Sequence, residues 1–144
     1  MNKKPRIAIR AIITNAEGKV LILKRENTKY CEGLWNLPGG KLEYNETVES
    51  ALTAEVREET GLTVTGFNFF SYLDNLPGKK GELHYITLVF ICRTVGTVKL
   101  SPESSEYRWI GNEELKDFEM AFRNGEAVRE FFSINQPFSQ YSLW

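Results

Sequence analysis

The chain has 144 residues and a mass of 16.6 kDa, with 42% hydrophobic, 12% aromatic and 26% charged residues. That size and balance predict a single folded domain over 1–144 and exclude general disorder. The 18 Lys and Arg against 19 Asp and Glu leave a formal net charge of −1, so no global basic field draws the chain to nucleic acid or an acidic membrane, and neither is an expected partner. Cys31 and Cys92 form no CxxC pair, no apolar run approaches the roughly 20 residues of a membrane span, and the start lacks a signal-peptide pattern; a reducing cytoplasm is the expected location.

In chain order, β-rich runs over 6–14 and 19–25 flank the turn sequence Asn15-Ala16-Glu17-Gly18 and predict a hairpin. Residues 26–41 contain Gly33, Pro38, Gly39 and Gly40 and read as a loop anchored by Leu34, Trp35 and Leu37. Segment 47–60 has no Gly or Pro, is rich in helix formers and is followed by Gly61, so it reads as the first helix. Strands are expected over about 63–73 and 84–94, joined by a polar loop with Pro77-Gly78-Lys79-Lys80-Gly81, and a short one over 107–110. Asn112 is placed to cap a short helix over 113–118, and a second helix is expected over about 125–132. Strands, helix, strands, helices in that order suggest an α/β protein with a mixed sheet. The aromatic tail, 135–144, yields no function.

Between Glu43 and Glu59 stand six glutamates and one arginine. Such a run is compatible with ordinary solvated helix glutamates, but the helical wheel counts against it for two of them. With Val48 as origin, Glu55 and Glu59 lie about 20° to either side, on the face of Val48, Ala51, Leu52 and Val56, while Glu58 lies about 80° away. Glu55 and Glu59 are also one turn apart, where like charges repel. Burying them together costs several kcal/mol, of order, unless a cation compensates or protons are taken up. Arg57 lies about 180° from Val48 and cannot neutralise them. A hard divalent ion such as Mg2+, which takes oxygen ligands, is the better compensator.

These residues carry a family resemblance. Gly40-Lys41-Leu42-Glu43-Tyr44-Asn45-Glu46, seven further residues, then Ala54-Glu55-Val56-Arg57-Glu58-Glu59-Thr60-Gly61-Leu62 resembles the Nudix box of the Nudix hydrolases, matching all but one fixed position over 23 residues. The lead-in Leu34-Trp35-Asn36-Leu37-Pro38-Gly39 is similar too. The departure is Ala54, where the family usually has an arginine that holds the first glutamate in place.

The resemblance implies a Nudix-type α/β/α sandwich with a mixed central sheet, and hydrolysis of a nucleoside diphosphate linked to another group by water with Mg2+ or Mn2+ present. It implies that Glu55, Glu58 and Glu59 are catalytic metal ligands, that Gly39 adds a backbone carbonyl, and that Glu46 is structural. Glu103, six residues before Trp109, matches a loop glutamate that serves as metal ligand or base in mutator-type members; the alternative is an exposed loop glutamate. Glu106 is the next candidate base. Arg25 matches a basic position that contacts nucleotide, against the alternative of a solvated strand-end arginine, and His84 receives no role. Segment 84–90 and the chain length favour a (deoxy)nucleoside triphosphate cleaved to monophosphate and pyrophosphate. Pro77 leaves ADP-ribose, a nucleotide sugar or a dinucleoside polyphosphate as runner-up. A non-catalytic nucleotide-binding domain is the alternative class, and the chain is expected to act as a monomer or homodimer on a small nucleotide.

Overall fold

Strands β1 (Arg6–Ile13) and β6 (Tyr85–Val95) are apolar on both faces and pair in parallel at the centre of a sheet, as strands covered on both sides do. We describe residues 3–78 and 83–134 of a computed structural model. The middle of the loop expected after Pro77 (79–82) and the aromatic tail (135–144) lie outside the described residues. Antiparallel partners complete the sheet in the order β4-β1-β6-β5, with β4 Gly39–Lys41 and β5 Thr63–Asn75. A second, antiparallel sheet has the order β3-β2-β7, with β2 Val20–Arg25, β3 Trp35–Asn36 and β7 Ser104–Ile110.

Alternation of side chains along the strands fills a core on each face. Ile9, Ala11 and Ile13 of β1 pack with Ala51, Leu52 and Val56 of helix α1 (Val48–Thr60). Ile12, with Val89 and Ile91 of β6, packs toward Ala127, Val128 and Phe131 of helix α2 (Asn124–Ile134). The expected α/β class with a mixed sheet between helices is therefore what the chain forms.

The expected hairpin does not form. Its turn is there, with the Asn15 Oδ1 accepting from the N–H groups of Glu17 and Lys19 at 3.0 Å, yet β1 and β2 share only the bridge Thr14–Val20 before entering different sheets. Turn chemistry fixes a local reversal; pairing is set by burial further along. In β2, Leu21 and Leu23 join the α1-side core while Val20 and Ile22 join the α2-side core. Segment 26–41 is likewise not wholly loop, because β3 pairs with Leu23 and Lys24, and β4 with Ala8, Ile9 and Arg10. The short helix after β7 is a 3-10 helix, Asn112–Asp117, and Asn112 is its first residue rather than its cap. Gly111 takes the cap position, its N–H donating to Glu114 Oε1 at 2.9 Å.

Candidate active site

Helix α1 is fixed at both ends, which aims its last two turns at β4. Thr47 Oγ1 accepts the Ser50 N–H at 3.0 Å. Gly61 ends the helix at φ 76°, donating to the Arg57 carbonyl at 2.9 Å, in the left-handed conformation glycine adopts without strain. Thr60, buried, carries the Leu62 N–H on its hydroxyl and the Lys99 N–H on its carbonyl. Between these anchors Glu55 and Glu59 are partly buried and Glu58 is exposed, the distribution the wheel predicts.

Two glycines receive the carboxylates. The Gly39 N–H donates to Glu59 Oε1 at 3.2 Å, and a Cβ on Gly39 would stand 2.0 Å from the Ile9 carbonyl oxygen and 2.9 Å from Arg10 Cδ. At Gly40 a Cβ would stand 2.7 to 2.9 Å from the carboxylate atoms of Glu55. The Gly-Gly pair is thus needed for close approach on both sides of β4: the first lies on β1 and Arg10, the second against Glu55.

Burial pushes the Glu59 carboxyl up to about 8, with the Arg10 charge and the Gly39 N–H opposing and Glu55 adding to the rise. Burial, then the charge of Glu58, also raises Glu55. The two carboxyls stand one helical turn apart, and burial is the leading cause of the rise in both. Proton uptake is the response expected of like charges taken out of water.

Arg10 was legible only as an interruption of an apolar strand, and it proves to be part of the site. It is part-exposed as a residue, but protein closely surrounds its guanidinium, and desolvation lowers its pKa. Arg10 Nη1 donates to the Leu37 carbonyl at 2.8 Å. With the Asn36 amide turned oxygen-first toward the arginines, its oxygen accepts from Arg10 Nη1 at 3.1 Å and from Arg25 Nη1 at 2.7 Å. Both guanidiniums lie on the Phe122 ring, 5.3 Å and 4.7 Å from its centroid for Arg10 and Arg25. Phe122 and Arg123 hold left-handed backbone at φ 55° and 59°, a conformation that costs non-glycine residues energy and clusters at functional sites. The Phe122 carbonyl is held by Asn75 Nδ2 at 3.0 Å and Asn124 Nδ2 at 3.2 Å, and buried Asn124 also accepts the Leu37 N–H at 2.9 Å. The signal that could have found this group is a charged residue in a strand otherwise destined for the core, which demands partners.

The other expected site residues divide. Arg25 lies in the site, its Nε donating to the Tyr30 carbonyl at 3.0 Å, with burial lowering its pKa. Glu103 sits beside the site: its charge acts on both Glu55 and Arg25, and its carbonyl accepts the Glu26 N–H at 2.9 Å. Glu106 is engaged elsewhere, paired with Arg108 at 2.9 Å and Lys24 at 3.6 Å. Glu46 accepts the Glu43 N–H at 3.0 Å, closing the turn before α1. Ala54 is exposed. Glu55, Glu59 and Gly39 are brought together, whereas among the described residues no three acidic, histidine or cysteine side chains converge into a ready-made cage that would include Glu58 or Glu103.

This fold and carboxylate helix are those of a known class. The chain matches the NUDIX domain over residues 4–131 and belongs to the Nudix hydrolase family. It is 33% identical over 114 residues to an 8-oxo-dGTP diphosphatase of Buchnera aphidicola, covering 79% of this chain and 84% of that one. With an ADP-ribose pyrophosphatase of Methanocaldococcus jannaschii it shares 30% identity over 88% of this chain and 73% of the other. A crystal structure of a MutT protein from Methanosarcina mazei superposes with a TM-score of 0.78 at 32% identity, covering 92% and 96% of the two chains.

Proposed function

We propose that the protein is a divalent-metal-dependent pyrophosphohydrolase whose favoured substrate is a (deoxy)nucleoside triphosphate, cleaved to monophosphate and pyrophosphate. The observation that carries this reading is the part-buried Glu55–Glu59 pair, one turn apart on α1 and set against Gly39 and Gly40. Such a pair offers oxygen donors only, and a hard cation between them would satisfy both carboxylates. Two carboxylates suffice for Mg2+, which completes its shell with water and substrate phosphates.

Glu55, Glu59 and the Gly39 carbonyl would hold the ion, with Glu58 and Glu103 as further oxygen donors. Mg2+ or Mn2+, when bound, neutralises the polyphosphate and lowers the pKa of the attacking water. Arg25, clamped by Tyr30, Asn36 and Phe122, presents a fixed guanidinium to a phosphate of the substrate. Where Glu103, which is exposed, does not ligate the ion, it takes the proton of the attacking water. The triphosphate preference draws on the relative named as an 8-oxo-dGTP diphosphatase. The relative named as an ADP-ribose pyrophosphatase supports ADP-ribose as a second reading.

A panel of nucleoside triphosphates, oxidised ones included, together with ADP-ribose, nucleotide sugars and dinucleoside polyphosphates tests this, with products separated after incubation with Mg2+. Monophosphate and pyrophosphate from triphosphates is the expected outcome. Preferential AMP and ribose 5-phosphate from ADP-ribose would favour the second reading, and binding without turnover of any member would overturn both.

A further inference from the structure

We propose that Arg10 is a positioning residue of the hydrolytic site: through the 36–39 segment it holds the Gly39 backbone in register with Glu59. The inference rests on the hydrolase reading above and goes beyond it, since it concerns a residue outside the glutamate helix.

The geometry is a short relay. Arg10 and Gly39 are register partners in the β1–β4 ladder, and Gly39 lies so close over the arginine that any side chain there would meet Arg10 Cα and Cδ at 2.9 Å. The guanidinium then turns back to take the Leu37 carbonyl and, with Arg25, the Asn36 oxygen. With the Pro38 carbonyl accepting the Ala11 N–H of β1 at 2.8 Å, four consecutive residues, Asn36 to Gly39, are fixed by contacts to one side chain or to its strand. The last of them donates its N–H to Glu59.

Charge points the same way. Among the described residues Arg10 makes no ion pair, so its guanidinium is not consumed by a structural carboxylate. The charges that act on it most strongly are those of Glu59, Arg25 and Glu55. A cation surrounded by protein yet unpaired is costly to keep, and its bonds go to backbone and amide oxygens that carry the segment facing the carboxylates. Both acceptors are taken by one nitrogen, Nη1, whose two N–H bonds are fixed in the guanidinium plane, an orientation that an ammonium on a flexible stem holds less well. Arg10 thus also answers the exposed Ala54 of α1: the carboxylates are set from the sheet side, not from their own helix.

The test uses the full chain with Arg10→Met and Arg10→Lys. In metal-free protein, exchange of the Gly39 amide proton followed by NMR is expected to speed up at least tenfold in Arg10→Met and less in Arg10→Lys. With Mg2+ and the best substrate of the panel, kcat is expected to fall at least tenfold in Arg10→Met with KM within about threefold, and Arg10→Lys to recover part of the loss. A rise in KM with kcat and Gly39 exchange unchanged would make Arg10 a substrate contact and overturn the proposal, as would no change in any of these. If Arg10→Met does not fold, Arg10→Lys is decisive, and wild-type exchange and kcat in that variant overturn the proposal. Because amide exchange needs no substrate, a wild-type protein that hydrolyses nothing would sink the hydrolase reading and leave the Arg10–Gly39 link to stand or fall separately.

Discussion

Gly40→Ala separates catalysis from folding at one position. Gly40 does not hold left-handed backbone, so alanine is conformationally acceptable there, and the three nearest atoms a Cβ would meet all belong to the Glu55 carboxylate, at 2.7 to 2.9 Å. A carboxylate at the end of a flexible side chain can retreat by about 0.7 Å to reach ordinary contact. Misplacing a reacting group by about 1 Å costs up to about a hundredfold. Turnover should therefore fall between about tenfold and a hundredfold, or about 1.4 to 2.7 kcal/mol of barrier, while the Tm moves by no more than about 4 °C. Gly39→Ala is the contrast: its Cβ would meet the Ile9 carbonyl of a central strand at 2.0 Å, where nothing can yield without moving β1, and loss of the fold is expected. Pyrophosphate release with Mg2+ and thermal unfolding of both variants decide the matter. Gly40→Ala activity within threefold of wild type, or a Tm loss as large as that of Gly39→Ala, would refute the reasoning.

Glu59→Gln should remove most metal-dependent turnover with the fold intact, measured as kcat beside circular dichroism; near-wild-type turnover would contradict a ligand role. The same variant tests the electrostatics. Glu59 is held at about 8 when folded against 4.5 ordinarily, so the folded state keeps a proton that the unfolded state has lost. The contribution of Glu59 to metal-free stability is then fully present below pH 4.5 and is lost toward pH 8, by up to about 1.4 kcal/mol per pH unit in denaturant titrations. Glu59→Gln should flatten that decline. Ala54→Arg should leave turnover within about threefold, because position 54 is exposed and the carboxylates are held from the sheet side; a fall of more than about tenfold would mean that the helix surface at Ala54 is itself part of the site. Asn124→Leu leaves the Leu37 N–H without its acceptor in the interior and should cost about 1 to 3 kcal/mol in denaturant unfolding.

How much of this was legible depended on whether a signal was local. The glutamate positions followed from helical geometry alone, because 100° per residue decides which carboxylates share a face with Val48 and Val56, and Gly61 made the end of the helix legible as well, while Thr47, read as the first helical residue, is its cap. Strand partners were not local. The Asn15–Gly18 turn looks the same whether the flanking strands pair with each other or part, and only the burial of both faces of β2 selects the second sheet. The same limit hid β4: a segment with Pro38, Gly39 and Gly40 carries the composition of a loop, and its pairing with β1 appears only when Arg10 and Glu55 are seen filling the room the glycines leave.

The two halves of the site were unequally visible for a related reason. Glu55 and Glu59 come from one helix, so their juxtaposition is written in a spacing of four. Arg10, Asn36 and Phe122 come from β1, β3 and the turn before α2, more than twenty residues apart at each step, and no period links them. What the sequence does carry is an unexplained cost. A strand reading Ile-Ala-Ile-Arg-Ala-Ile-Ile puts a guanidinium toward the core, and a buried charge persists only where something compensates it. A helix that buries two like carboxylates poses the opposite problem. Each is destabilising alone, and β4, with no side chain on two successive residues, is thin enough to let the one act on the other. Read together, the two costs identify the same place in the fold from opposite sides of the sheet edge.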